Sequence, residues 1–246
     1  MRELFKSVKK TIKRWILIFL PRIAEVNYHG FRLFYSRGDY LISRCQTESL
    51  WPNMFKLLRE ELSRHQSPVL LDIGAHNGII SLFAKHSCSS VVIHAFEPSP
   101  FQFEMLQKTV LSNKISNFYV YRLAVGDRSG EVSFFICPRG DEPRNGLTSR
   151  VGTEEIRVQM VALDDWVKQN NLTKLDILKI DVEFSEFPLL KGAESTIKKF
   201  RPVIFIEIVD NLQSHRLLES WGYSIKPIFD DIGNRDFIAR PSDRSK

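Results

Sequence analysis

From Val69 onward, short apolar runs alternate with segments that repeat apolar residues at helical spacing. Each run is short enough for a buried strand, and a helical pattern separates it from the next. This alternation is typical of a parallel sheet whose strands are connected by helices. The pattern predicts core strands at 69–72, 91–97, 118–123, 175–181 and 202–208, with helices at 79–85, 100–111, 164–170, 186–200 and 212–220.

The end of the chain changes this pattern. Residues 223–229 and 235–239 flank a turn signal at 230–234, which predicts a hairpin. The final strand of such a hairpin must run antiparallel to its neighbours in an otherwise parallel sheet. The sequence therefore predicts an α/β fold with a doubly wound, Rossmann-like sheet of seven strands, the last of them antiparallel. Two further extended segments, 131–136 and 156–161, surround a loop at 138–150.

The N-terminal segment differs in composition from the rest. The chain of 246 residues has a net charge of +6, and residues 1–22 alone hold seven basic residues against Glu3. A helix over 1–20 would place apolar side chains on one face and lysines on the other, as in helices that lie on membranes. We therefore divide the chain into a basic amphipathic N-terminal helix at 1–27, a lead-in at 28–68 and the main α/β domain at 69–246.

Charge and cysteine content argue against several classes of protein. Outside residues 1–22 the chain is neutral, so nucleic-acid binding is not expected. The apolar run at 15–20 is far shorter than the roughly 20 residues of a membrane-spanning helix. The three cysteines are too widely spaced for a disulfide framework or a zinc site. We expect a cytoplasmic protein whose helix 1–20 either contacts the inner face of an anionic membrane or packs on the domain.

A glycine-containing turn joins the first predicted strand to its helix. The segment Asp72-Ile73-Gly74-Ala75-His76-Asn77-Gly78 stands where open α/β sheets bind nucleotides. Gly74 and Gly78 allow the backbone to approach a ligand closely. His76 occupies the place of the second glycine of a dinucleotide fingerprint and would crowd a pyrophosphate. The turn therefore favours S-adenosylmethionine over NAD, with Asp72 meeting the charged end of that cofactor directly or through the loop amides.

Glu97 gives a second anchor for the same cofactor. It ends the second predicted strand, 25 residues after Asp72. In dinucleotide-binding folds an acidic residue about 20 residues after the turn binds the ribose hydroxyls. Two carboxylates at this spacing predict a site for an adenosine ribose.

Asp181 and Glu183 end the fourth core strand, and alternation along an extended chain directs both side chains to the same face. A carboxylate near a hydroxyl proton can act as a general base. These two residues are therefore the candidate catalytic pair, with helix capping as the alternative. We expect no metal ion. A Mg²⁺-dependent variant would draw its oxygen ligands from Asp181, Glu207, Asp210 and Asn211.

Six motifs, taken in order, resemble those of the FkbM-type methyltransferases. They are the turn above, Ala95-Phe96-Glu97-Pro98-Ser99-Pro100, Ala124-Val125-Gly126-Asp127, Leu163-Asp164-Asp165, Lys179-Ile180-Asp181-Val182-Glu183 and Leu190-Lys191-Gly192-Ala193-Glu194. The resemblance covers roughly 69–208 and implies the class I methyltransferase version of the fold, with S-adenosylmethionine as donor. It also implies cofactor contacts by His76, Ser99 and Ala124. The family pattern has glycine where this chain has Phe184.

The resemblance implies in-line methyl transfer to a hydroxyl of a sugar, a glycan or a secondary metabolite, with a carboxylate base. Two alternatives remain open. A nucleic-acid methyltransferase is opposed by the neutral domain and by the absence of an Asn/Asp-Pro-Pro-aromatic motif. A non-catalytic cofactor-binding or scaffold protein is favoured by Phe184. The loop at 138–150 is expected to shape the acceptor pocket.

Overall fold

The computed structural model describes residues 23–36, 51–136, 145–148, 153–209, 212–229 and 235–242. The predicted helix over 1–20, most of the loop at 138–150, and Asp210 and Asn211 lie outside these residues. The expected membrane contact therefore stays a prediction. Among the helices in the described ranges, none has both the length and the apolar character needed to cross a bilayer.

Strands and helices alternate along most of the described chain. The strands are β1 (Ile23–Tyr28), β2 (Phe31–Ser36), β3 (Val69–Ile73), β4 (Val92–Phe96), β5 (Phe118–Tyr121), β6 (Ala124–Gly126), β7 (Gly130–Ile136), β8 (Glu154–Ala162), β9 (Ile177–Ile180), β10 (Val203–Glu207), β11 (Tyr223–Pro227) and β12 (Asp236–Pro241). The helices are α1 (Pro52–Leu62), α2 (Ile79–Ser87), α3 (Pro100–Ser112), α4 (Leu163–Gln169), α5 (Glu186–Lys191), α6 (Glu194–Phe200) and α7 (Gln213–Ser220).

A seven-stranded sheet forms the centre, with the strand order β11-β12-β10-β9-β3-β4-β5. Neighbouring strands are parallel except at β12, which lies between β10 and β11 and runs antiparallel to both. The predicted seven-stranded sheet with an antiparallel last strand is thereby confirmed. A smaller sheet with the order β6-β8-β7 contains the two additional extended segments.

The sheet is buried on both faces, which explains why its strands are nearly continuous apolar runs. Leu70 and Leu71 follow each other in β3 and are both fully buried, but they point to opposite faces and belong to different core clusters. Helices α1 to α3 cover one face, and helices α4 to α7 cover the other. The carboxyl ends of the parallel strands lie side by side at one end of the sheet, which the helices on the two faces do not cover.

The segment before the sheet contains a hairpin that the sequence pattern did not reveal. Strands β1 and β2 pair antiparallel and dock on α3. The amide of Phe34 donates to Oγ1 of Thr109 at 3.0 Å, and the amide of Arg32 donates to Oδ1 of Asn113 at 2.9 Å. Residues 23–27, which the sequence analysis grouped with the N-terminal helix, belong to this hairpin, and the lead-in consists in part of β2 and α1.

The predicted helix at 186–200 is two helices, α5 and α6, that meet at Gly192. A Cβ atom on Gly192 would lie only 2.0 Å from the carbonyl oxygen of Gly126 in β6. This close contact between two of the family-like motifs leaves no room for a side chain, and the chain changes direction there.

Asp164, the first residue of the predicted helix at 164–170, lies inside the first turn of α4, whose N-cap is Ala162. Its carboxylate instead accepts hydrogen bonds from the backbone amides of Ser195 and Thr196, at 3.0 and 2.7 Å. Asp164 therefore caps α6, a partner that becomes visible only in three dimensions.

Candidate active site

A cavity of about 320 Å³ opens at the carboxyl ends of the central strands. This is the edge at which open α/β sheets bind their ligands. Six of the nine predicted site residues line the cavity, namely Gly74, His76, Glu97, Ala124, Asp181 and Glu183. The other three, Asp72, Gly78 and Ser99, lie behind its wall and support the loops that form it.

The loop after β3 is shaped by residues with left-handed backbone conformations. Gly74, His76 and Gly78 have φ angles of +76°, +52° and +84°. A Cβ atom on Gly78 would lie 2.4 Å from Cδ1 of Leu106 in α3, so this glycine permits helix packing rather than ligand approach. Gly74, by contrast, is in the cavity wall.

Glu97 ties this loop to the loop after β4. Its Oε2 accepts the amide proton of His76 and its Oε1 accepts that of Ser99, both at 2.8 Å. Burial raises the pKa of Glu97, and the interactions with His76 and Ser99 oppose that shift. Because each carboxylate oxygen has two lone pairs, Glu97 can hold the loop and still accept hydrogen bonds from a ligand in the cavity.

Asp72 is fully buried under the loop. The hydroxyl of Ser81 donates to its Oδ2 at 2.6 Å, and Nζ of Lys179 lies 3.2 Å from its Oδ1. These partners occupy the carboxylate, and of the two roles predicted for Asp72 this arrangement favours the indirect one, through the loop.

Lys179, which belongs to the motif at 179–183, is a further functional candidate that the sequence pattern alone does not reveal. Its Nζ donates to the carbonyl oxygen of Gly74 at 2.7 Å and lies 3.7 Å from Oδ2 of Asp181. Burial alone would lower the pKa of the Lys179 ammonium, but Asp72 and Asp181 raise it and the net shift is upward. A single lysine within the apolar run of β9 is the signal that could have identified it.

Three carboxylates that line the cavity converge. Oxygen atoms of Asp181, Glu183 and Glu207 all lie within 4.8 Å of one another. Burial, followed by the charges of Asp181, Glu183, Asp236 and Glu186, raises the pKa of Glu207 to about 8. The structure thus brings the predicted pair together and adds Glu207 at the end of β10, which gives the cluster a bound proton at neutral pH.

Phe184 occupies a backbone position suited to glycine. Glu183 and Phe184 have consecutive positive φ angles of +48° and +72°, a conformation that side chains disfavour. The amide of Phe184 donates to Oε1 of the buried Glu186 at 3.0 Å, which holds the turn. This explains in physical terms why the family pattern has glycine here. The ring of Phe184 is 47% exposed.

Comparison with known proteins identifies related sequences. The sequence model described as the methyltransferase FkbM domain matches residues 72–225, which is more than half of the chain. The 31-O-demethyl-FK506 methyltransferase FkbM of Streptomyces tacrolimicus is 28% identical over 166 residues, which cover 56% of this chain and 64% of that enzyme. The hexuronic acid methyltransferase AglP of Haloferax volcanii is 28% identical over 189 residues, covering 75% and 73% of the two chains.

A third relative, the 2-O-methyltransferase NoeI of Sinorhizobium fredii, is 24% identical over 159 residues, with coverage of 58% and 64%. The match therefore spans slightly less than two thirds of NoeI and of the FK506 enzyme. Among solved structures, a methyltransferase FkbM from Methylobacillus flagellatus superposes with a TM-score of 0.54 at 19% identity, covering 71% of this chain and 43% of that one. This last likeness concerns the fold alone.

Proposed function

Because this chain belongs to the FkbM methyltransferase family, we propose that it transfers the methyl group of S-adenosylmethionine to a hydroxyl oxygen of a sugar, a glycan or a secondary metabolite. The names of three relatives support this acceptor class, since they refer to an FK506 derivative, a hexuronic acid and a 2-O position. The observation that carries the proposal is the Glu97 carboxylate, which braces the glycine turn at the wall of the cavity.

The residues of the cavity suit the ribose of the proposed cofactor. The remaining lone pairs of Glu97 are available to ribose hydroxyls, and Gly74 and His76 also line the cavity. Ala124 and Pro98 add small apolar surface beside them. Asp72 supports the loop from behind through its contacts with Ser81 and Lys179.

The proposed reaction is an in-line displacement. The bound cofactor supplies a methyl group on a sulfonium, whose C–S bond breaks with its electron pair going to sulfur. The acceptor oxygen forms the new C–O bond, and its proton passes to a carboxylate oxygen of Asp181 or Glu183. Holding the hydroxyl in line can supply roughly 7–11 kcal/mol, and proton removal by a positioned base adds about 10²–10⁴-fold.

Binding of S-adenosylhomocysteine, measured by calorimetry, tests the cofactor assignment. Glu97→Ala removes an acceptor of charge-assisted hydrogen bonds, so we expect affinity to fall by about 1.5–3 kcal/mol, which is roughly 10- to 150-fold. Glu97→Gln keeps one oxygen acceptor and tests the same contact with less disturbance of the loop. The matched control is Glu104→Ala, which alters an exposed glutamate on α3.

Transfer of labelled methyl groups tests the reaction itself. Glucuronic acid, methyl glucoside and a macrolide alcohol are suitable first acceptors, followed by fractionated extract of the source cell. We expect label in a hydroxyl-bearing molecule. Folded wild-type protein that fails to bind S-adenosylhomocysteine or S-adenosylmethionine would contradict the proposal.

A further inference from the structure

The ammonium group of Lys179 contacts two walls of the cavity at once. Its Nζ binds the carbonyl oxygen of Gly74 at 2.7 Å and lies 3.2 Å from Asp72, both of which belong to β3 and its loop. The same atom lies 3.7 Å from Oδ2 of Asp181, which follows β9. One cation therefore joins the cofactor side of the site to the acceptor side.

Strand register places these groups together. Asp72 and Lys179 are direct neighbours on the parallel strands β3 and β9. Asp181 lies two residues beyond Lys179, and alternation along the strand directs its side chain to the same face. The arrangement follows from the pairing of segments that are more than 100 residues apart in the sequence.

Neutralising Asp72 explains only part of the arrangement. Lys179 is 8% exposed, and a buried ammonium is costly unless it is paired. The fully buried Asp72 already supplies that pairing, and the Ser81 hydroxyl satisfies its second oxygen. The contact between Lys179 and Asp181 goes beyond what charge balance requires.

Backbone contacts already fix the main chain of Asp181. Only the conformation of its side chain can then vary. The amide of Asp181 donates to the carbonyl oxygen of Ile73 at 3.1 Å, and Gly74 packs directly on the carbonyl oxygen of Asp181. The carboxylate itself is 44% exposed to the cavity. An exposed carboxylate samples several rotamers unless a partner restricts it, and Lys179 is such a partner.

We propose that Lys179 is a positioning residue that holds the Asp181 carboxylate at a fixed place relative to the cofactor loop. The inference rests on the proposed function, because the fixed carboxylate then meets the acceptor hydroxyl in line with the methyl group. A displacement of about 1 Å in such a site can cost about 10²-fold in rate.

A charge-balanced pair of variants separates positioning from simple neutralisation. Lys179→Met alone leaves the buried Asp72 charge unpaired and is expected to unfold readily. Asp72→Asn removes that charge but retains the contact between Lys179 and Asp181. The double variant Asp72→Asn/Lys179→Met removes both charges and keeps the interior neutral.

We expect the double variant to melt within a few degrees of Asp72→Asn and to bind S-adenosylhomocysteine within about 5-fold of it. We expect its kcat for methyl transfer to be at least about 30-fold lower than that of Asp72→Asn, with a nearly unchanged KM for S-adenosylmethionine. Equal kcat values in the two proteins would show that Lys179 serves only to neutralise Asp72, and would overturn the inference.

A spectroscopic measurement tests the same contact without any acceptor or cofactor. In protein labelled with ¹⁵Nζ-lysine, the Lys179 ammonium signal is assigned by its loss in the double variant. We expect Asp181→Asn to shift this signal and to speed its hydrogen exchange, whereas Asp127→Asn, an exposed change outside the cavity, should not. A Lys179 signal unaffected by Asp181→Asn would overturn the inference even if the protein binds S-adenosylhomocysteine and transfers methyl groups.

Discussion

The backbones of Gly74 and Asp181 are in direct contact at the carboxyl ends of β3 and β9. A Cβ atom on Gly74 would lie 1.8 Å from the carbonyl oxygen of Asp181. This contact joins the turn that is proposed to hold the cofactor to the strand end that carries the candidate base. A glycine is therefore required at position 74 for packing as well as for its φ of +76°.

Gly74→Ala is expected to abolish measurable binding of S-adenosylhomocysteine, because the added methyl group must push the loop away from Asp181. Gly30→Ala is the matched control, since Gly30 has a similar φ of +89° but a Cβ atom there would meet no other atom within 4 Å. The control incurs only the backbone strain of a left-handed residue, about 1–2 kcal/mol, and should keep full cofactor affinity. Calorimetry and thermal unfolding of both variants decide this, and equal affinities would show that the clash is relieved without moving the loop.

Asp181→Asn and Glu183→Gln are each expected to lower turnover by at least about 10²-fold while leaving cofactor affinity nearly unchanged. Both changes keep the size of the side chain and remove its basicity. Glu131→Gln, at an exposed position of β7, is the control for an acidic group lost elsewhere. Wild-type rates in both site variants would place the base on another residue.

The central sheet was predictable from the sequence because its strands are short apolar runs that alternate with helical patterns. This alternation is typical of a parallel sheet. The sequence also predicted the positions of Gly74, Glu97, Asp181 and Glu183 in the site, since strand ends collect at one edge. It did not predict the hairpin of β1 and β2. The burial of those short strands depends on their contact with Thr109 of α3 and with Asn113, which follows that helix, and local periodicity does not encode these contacts.

The structural roles of two polar residues, Asp72 and Asp164, also could not be predicted from the sequence. Asp72 was predicted to meet the cofactor directly or through the loop amides, and its ion-pair partner Lys179 lies 107 residues away in the sequence. Register between strands sets such contacts, and a single sequence does not reveal register. Asp164 illustrates the same point, because it caps a helix that begins 30 residues later.

Phe184→Gly is expected to raise the melting temperature. The substitution relieves a left-handed conformation that costs about 1–3 kcal/mol in a non-glycine residue, and about half of the Phe184 side chain is already exposed. The greater flexibility of glycine in the unfolded chain offsets part of this gain. A net gain of about 1 kcal/mol corresponds to roughly 2–4 °C for a chain of this size.

The same variant addresses the non-catalytic alternative that Phe184 raised. If Phe184 blocks the site, Phe184→Gly gains methyl transfer that the wild-type protein lacks. If the wild-type protein is active, as we propose, both proteins transfer methyl groups at comparable rates. Phe229→Gly is the control for the loss of an exposed apolar side chain, because Phe229 lies at an exposed position beyond β11. Leu111→Gly does not serve as this control because Leu111 lies inside the helix α3. A lower melting temperature for Phe184→Gly would mean that the ring stabilises this turn.

Glu207 makes the stability of the fold depend on pH. Its pKa is about 8 in the folded protein, against an ordinary value of 4.5, because of burial and of the carboxylates around it. Between these values the folded state holds a proton that the unfolded chain releases, so the contribution of Glu207 to stability is fully present below about pH 4.5 and is lost as the pH rises toward 8. The slope is at most about 1.4 kcal/mol per pH unit, and less because the side chain is partly exposed.

Glu207→Gln removes this titration and retains a neutral side chain of the same shape. The melting temperature of the variant relative to wild type is therefore expected to increase steadily from pH 5 to pH 8, measured at constant ionic strength. Glu104→Gln, on the exposed face of α3, should follow the wild-type curve throughout. A difference between Glu207→Gln and wild type that stays constant over this range would mean that Glu207 is already ionised at pH 5, and that the three carboxylates do not share a proton.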